Sequence, residues 1–349
     1  MKKHKICKIL LVILAIFLCV AFYELLGICV AYKKQPEVSN TTKKETKNGS
    51  WNECSENTER AVIIEKNPEA LLQRVRLIKN AKKEIILSTF AFQSDESGKL
   101  ILGALHDAAD RGVHIRLLVD GMESWIDMEG NPYFYGLSSH ENVEIKLYNK
   151  ANPLKPWKMM GRMHDKYLIA DGKRYILGGR NTYNYFLGDF PGHKNYDRDV
   201  LVVCDEPEKE NSVNQLLEYF ETIWEQEDSG YFHDNKKLAN RKSVKNAVLE
   251  LQNGYQKYFE ENKERICDTD YTDETFETEK IALVSNPIHT GSKEPVVWYQ
   301  LGELMKNAKN RVKIHTPYII CNDMMYNTWE EIAENVSDFS IMTNSVANN

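Results

Sequence analysis

The chain has 349 residues, of which 42% are hydrophobic and 28% charged, with 7 Cys; this excludes collagen-like, low-complexity and disulfide-stapled miniprotein classes and leaves room for about two globular domains. Net charge is −6, and four lysines and one glutamate in residues 1–32 leave 41 basic against 50 acidic residues beyond them. A body that acidic lacks the clustered Lys and Arg of a sequence-independent phosphate-backbone binder, which argues against a general nuclease while leaving room for a local basic pocket.

Ile6 to Ala31 is almost wholly apolar, broken by Lys8 and Glu24, and about 20 such residues cross a bilayer as a helix. Residues 1–32 are therefore expected to form a transmembrane anchor. Lys2, Lys3, Lys5 and Lys8 precede it, which keeps the N-terminus cytoplasmic and predicts a single-pass cell-membrane protein with its globular part outside. A cleaved signal peptide, with Ile9 to Val20 as its apolar core, is the alternative. Residues 33–58 are polar and read as a flexible tether. Of the cysteines beyond the anchor, Cys54, Cys204, Cys267 and Cys321 show no CxxC spacing, so no zinc site is predicted and buried free thiols are expected, a disulfide whose pairing the spacing does not choose being the alternative.

From residue 59 short β-branched runs alternate with amphipathic segments. Strands are predicted at Ala61–Ile64, Glu84–Phe90, Val113–Asp120, Val143–Leu147, Met163–Ile169, Arg174–Leu177 and Asp199–Cys204, with helices at Pro68–Ala81, Gly98–Arg111 and Val213–Gln226. That alternation predicts an α/β domain over 59–230, a mixed β-sheet flanked by helices. Residues 231–278 read as a helical connection, with Val244, Val248, Leu251, Tyr255 and Tyr258 or Phe259 on one helix face. In 279–349 the beginning of the first domain recurs: Ile78–Phe90 resembles Met305–Pro317, and His114–Asp120 lines up with Asp338–Asn344. Two matched segments in the same order indicate an incomplete second copy.

The stretch from Met163 to Asn181 carries the chemistry. It reads as a β-hairpin turning at Asp171-Gly172, with His164 and Lys166 two apart on its first strand and so on one face. A turn centred between Asp171 and Gly172 puts Gly179 opposite His164 and Leu177 opposite Lys166, leaving bare backbone facing the imidazole, with Asn181 two residues on. Lys166 and Asn181 would hold the non-bridging oxygens of a phosphate ester while His164 attacks phosphorus. Asp171, in the turn, reads first as structural. One histidine alone is usually a surface residue; the combined spacing is the signal.

His164-x-Lys166-x4-Asp171 followed by Gly178-Gly179-x-Asn181 resembles the signature of the phospholipase D superfamily. The likeness extends over Ser88–Gly98, Ala108–Asp120, Asp199, Phe220–Trp224, Thr316–Tyr318 and Thr343–Ser345, and is greatest to membrane-associated bacterial proteins of the cardiolipin synthase type. The resemblance implies a phosphohistidine on His164, catalytic roles for Lys166 and Asp171, phosphate contacts from Lys166, Asn181, Gly178 and Gly179, and a supporting role for Asp199 in orienting an imidazole. It implies no metal and no organic cofactor. The family uses two such histidines. The second motif would fall near residue 388, and His289 and His315 are followed by Thr-Gly and Thr-Pro instead of x-Lys. The expected activity is a phosphodiesterase or phosphatidyltransferase acting on phospholipid at the membrane, its second half-site supplied by another chain or an identical subunit. A truncated inactive protein, a phosphate-binding module and a nuclease of the same superfamily are the alternatives.

Overall fold

The computed structural model describes residues 2–49, 59–207, 210–233 and 235–345; Cys54, Trp51 and the end of the expected tether lie outside them. The chain divides into two units, Met1–Lys33 with Cys54–Leu283, and Lys34–Glu53 with Val284–Asn349.

In the first unit α1 (Lys2–Tyr32) is one continuous helix, and Lys5–Tyr32 is long and apolar enough to cross a membrane. The second unit supplies α2 (Asn40–Lys47). The first unit then continues through β1 (Arg60–Ile64), α3 (Asn67–Asn80), β2 (Glu84–Thr89), α4 (Glu96–Asp110), β3 (His114–Asp120), α5 (Glu123–Asp127), α6 (Pro132–Ser138) and β4 (Val143–Tyr148). After a 3-10 turn at Pro156–Lys158 come β5 (Tyr167–Ala170), β6 (Arg174–Gly178), β7 (Asp199–Val203), α7 (Ser212–Trp224), β8 (Ser229–Tyr231), α8 (Lys242–Glu261), α9 (Lys263–Cys267) and β9 (Phe276–Glu277). These strands form one mixed sheet in the order β8-β4-β3-β2-β5-β6-β7-β1-β9. Strands β2, β3 and β4 are parallel, as the helical crossovers between them require.

Alternation along the strands separates two faces. Ile85, Leu87, Ile115, Leu117, Leu168, Ala170, Ile176 and Leu201 join the main core with α3, α4 and α8, while Tyr167 turns to the other face and meets Phe220 of α7 edge-on. On the core side, a Cβ at Gly103 would lie 2.7 Å from the Leu251 carbonyl oxygen, so glycine lets α4 and α8 touch backbone to backbone. The predicted helix face is present, with Val244, Leu251, Tyr255 and Phe259 buried and Val248 partly so. Within 231–278, α8 closes the core of the first unit and β9 extends one edge of its sheet, while β8, just before, extends the other.

The second unit pairs β10 (Arg311–His315) with β11 (Asp338–Met342) in parallel, accompanied by α10 (Val296–Lys306) and α11 (Asp323–Asn335). Arg311 stands opposite Asp338 in the register in which Glu84 stands opposite His114, the positions that the two sequence matches equate. Residues expected to be a flexible tether instead include α2. Ser39 caps it, accepting from Thr42 N, and Glu294 takes hydrogen bonds from Ser39 N at 2.8 Å and Thr42 Oγ1 at 2.6 Å. A polar segment orders here because its partner lies some 250 residues away. Of the described cysteines outside α1, Cys204 is buried as expected, whereas Cys267 is exposed.

Candidate active site

The hairpin turn forms where predicted, with Asp171 and Gly172 both at positive φ (55° and 64°) and Lys173 N donating to Ala170 O. The ladder resumes one residue late, with Ala170 opposite Arg174 and Tyr167 opposite Leu177. Lys173 is thus the extra residue on its strand, and Gly178, not Leu177, faces Lys166, its N–H donating to Lys166 O at 3.1 Å. Strand pairing begins at Tyr167, so His164 and Lys166 stand in the extended segment before β5. Because β5 runs antiparallel to β2, that segment arrives at the C-terminal ends of the parallel strands, where α/β sheets open to ligands.

His164 is exposed, its ring edge-on to Phe90 with centroids 4.6 Å apart. Desolvation first, and the Lys166 ammonium second, hold its pKa below the ordinary imidazole range against the pull of Asp165. A neutral imidazole at neutral pH has a lone pair to attack with. Lys166 is 5% exposed, 5.5 Å from the Phe90 centroid, and donates through Nζ to the His164 carbonyl at 2.6 Å. Burial lowers its pKa to about 8 even though Asp165 and Asp197 act the other way. Asn181 is buried at the same end of β2, accepting from Ala91 N at 3.2 Å through Oδ1.

Asp171 is not brought to this end. Its carboxylate accepts from Lys82 N, Lys83 N and Glu84 N at 2.7–3.1 Å, fastening the hairpin turn to the start of β2 at the opposite end of β5. These contacts are those of the structural reading of Asp171, and the catalytic role that the resemblance implies finds no partner among them. Asp199 likewise does not meet the imidazole. It is buried with Oδ2 held by Arg74 at 2.9 Å and Arg180 at 3.2 Å, because its strand register sets it beside Gly178. The glycines are not open backbone either: a Cβ at Gly178 would meet Arg198 O at 2.5 Å, and one at Gly179 would overlap the Asp197 carboxylate. Asp197, not Asp199, is the β7-side acid that acts on Lys166.

Several residues that shape the site belong to no motif. Asp120, fully buried at the end of β3, accepts from Arg162 Nη1 at 3.0 Å, Met163 N at 3.1 Å and Met122 N at 2.9 Å. It thereby fixes the residue just before His164. Arg162 also donates to Asn149 O at 2.6 Å, and Asp165 is held by the Tyr219 hydroxyl at 2.7 Å. An aspartate closing a parallel strand was a legible signal for the first of these; the other contacts are tertiary.

Residues 74–224 match the family model described as "Cardiolipin synthase, PLD-like domain". An uncharacterized protein of Helicobacter pylori is 28% identical over 82% of this chain and 59% of its own length, so the chain spans under two thirds of that relative. Cardiolipin synthase C of Escherichia coli is 29% identical over 45% of this chain and 34% of its own. The solved phosphatidylserine synthase of Haemophilus influenzae superposes with a TM-score of 0.56 at 15% identity, covering 86% of this chain and 66% of that one, a likeness of fold. The hairpin motif and the match over residues 74–224 together identify a phospholipase D-like domain in this chain, with its similarity directed to the cardiolipin synthases.

Proposed function

We propose that the chain is a phosphodiesterase or phosphatidyltransferase acting on phospholipid at a membrane, with His164 as nucleophile. The observation that carries this reading is the pairing of an exposed imidazole of lowered pKa with a buried ammonium at the open end of the parallel strands. An imidazole nitrogen of His164 forms a bond to phosphorus while the ester P–O bond breaks, and the leaving oxygen takes a proton from a second acid. Water or an alcohol then attacks the phosphohistidine, giving its proton to that same group and freeing His164. Lys166 and Asn181 hold the non-bridging oxygens as charge develops. The second acid comes from a second half-site, supplied by another chain, an identical subunit or a further segment. Helix α1 anchors the chain, with its lysine-bearing end in the cytoplasm.

The test is to trap a 32P-labelled enzyme from labelled phosphatidylglycerol and, in parallel, from an oligonucleotide. Label from the lipid that vanishes in His164→Ala supports the reading. Label from the oligonucleotide alone would make the chain a nuclease, and none from either would leave it a phosphate-binding module.

A further inference from the structure

The segment between β4 and His164 holds a set of side chains that catalysis does not use. Leu154, Trp157 and Met160 are exposed, Leu154 at 76%, which is unusual for three large apolar residues within seven positions. Two more, Trp125 and Ile126 of α5, are exposed at 71% and 74%. Met122, next to α5, and Met159 line the same cavity of about 190 Å³, together with Lys150, Lys155, Lys158 and Arg162. Lys158 is paired with Asp228 at 2.6 Å and Arg162 with Asp120. Among the described residues Lys155 forms no ion pair.

The final third of α1 lies directly against this segment. Tyr23 donates through its hydroxyl to Leu154 O at 3.0 Å, and a Cβ at Gly27 would come within 2.5 Å of the Pro156 ring. Ala21, Glu24, Gly27, Ile28 and Ala31 turn to the protein at three- and four-residue spacing, while Phe22, Leu25, Leu26 and Val30 face outward. Leu154 and Trp157 are thus exposed in the very segment against which the final third of the helix lies.

We infer that residues 154–160, with Trp125 and Ile126, form an interfacial wedge that enters the leaflet at the C-terminal end of α1, with Lys155 meeting the phosphates of anionic lipid. Trp at the headgroup level and a lysine with its stem in the apolar layer are the side chains that such a depth selects. The wedge precedes His164 by a few residues, and Asp120 ties its last residues, Arg162 and Met163, to β3. A phospholipid held at the wedge thus has its phosphate beside the nucleophile without leaving the bilayer. The inference rests on α1 being the span proposed above.

The span contains no tryptophan, so quenching by lipids brominated on their acyl chains reports only on residues outside it. The full chain is reconstituted in vesicles of phosphatidylcholine and brominated phosphatidylglycerol, and retention after carbonate washing is measured first. Quenching in the parent chain that is mostly lost in the W125F/W157F double variant is the expected result. L154D/M160D, which keeps both tryptophans, is expected to lose most of it too, separating loss of depth from loss of a fluorophore. A chain that survives the carbonate wash yet quenches equally in all three forms overturns the wedge alone. A chain released by carbonate overturns the span and the wedge together.

Discussion

Lys166→Met is expected to stabilise the fold while abolishing turnover. Burial brings the lysine from 10.5 to about 8, which at about 1.4 kcal/mol per pH unit means that the charged side chain costs the folded state ~3 kcal/mol. Methionine has nearly the same length and no charge. It gives up the hydrogen bond from Nζ to the His164 carbonyl, worth about 1 kcal/mol, so a net gain of ~2 kcal/mol is expected at pH 7. For a unit of this size that raises the apparent Tm by several degrees. The sign with pH follows from linkage. Between about 8 and 10.5 the unfolded chain holds a proton that the folded chain has lost, so stability of the parent rises with pH in that window. The advantage of K166M should therefore be full below about pH 8 and fade as pH approaches 10.5. Thermal unfolding of the two forms in detergent across that range is the assay. A variant no more stable at pH 7, or an advantage that stays constant with pH, would refute the assignment of Lys166 as a buried ammonium held for function against stability.

On the mechanism proposed above, the same two groups should set a pH–rate profile. Activity on phosphatidylglycerol should rise through a limb lying below the ordinary histidine range, as His164 loses its proton, and fall through a limb at about 8, as Lys166 loses its own; initial rates from pH 4 to 10 check both. Asp120→Ala leaves the Arg162 guanidinium and Met163 N–H without their acceptor, so it should cost about 3–5 kcal/mol in urea unfolding and lower kcat with it. Asp171→Ala takes the carboxylate acceptor from three backbone N–H groups far from His164, those of Lys82 and Lys83 in reach of water. Its stability should fall by about 1–3 kcal/mol while kcat/KM per folded molecule stays within about twofold, and a larger kinetic loss would restore Asp171 to the reacting site.

The elements that the sequence discloses best are those whose period comes from burial. The strands from Glu84 and His114 and the helix face Val244, Leu251 and Tyr255 appear where alternation and three-four spacing put them. Register is a finer quantity. The turn at Asp171-Gly172 is as expected, but the single bulged residue Lys173 moves each cross-strand partner by one. Lys173 O in turn receives the N–H of Cys204, just past β7, a contact that no local pattern announces. Asp199 illustrates a different limit. Its place in the chain suggests a partner for an imidazole, yet Arg74 reaches it from α3, 125 residues earlier. Arg74 sits among apolar residues in a helix that is buried almost throughout, which marks it as paired without saying with what. The clamp by Asp120 on Met163 spans 43 residues and is equally invisible to spacing.

The paired glycines separate packing from electrostatics, because what crowds one is held fast and what crowds the other can move. A Cβ on Gly178 would overlap the Asp199 carboxylate, which Arg74 and Arg180 hold in place, and would meet Arg198 O at 2.5 Å and Asp199 Cα at 2.7 Å. The last two are backbone, so Gly178→Ala must open the ladder between β6 and β7 and loosen the Arg74–Asp199–Arg180 cluster beside it. A Cβ on Gly179 would instead meet the Asp197 carboxylate, which can swing away. Asp197 is one of the two acids that support the charge on Lys166; driving it off lowers the lysine pKa further and moves the alkaline limb of the rate profile below 8. Gly178→Ala is thus expected to lose about 1–3 kcal/mol or more of stability with its pH profile unmoved in the surviving activity. Gly179→Ala should lose less stability and shift the limb. If Gly179→Ala proved the more destabilising and left the limb in place, the glycine pair would owe its presence to backbone packing alone, and Asp197 would have no part in the site.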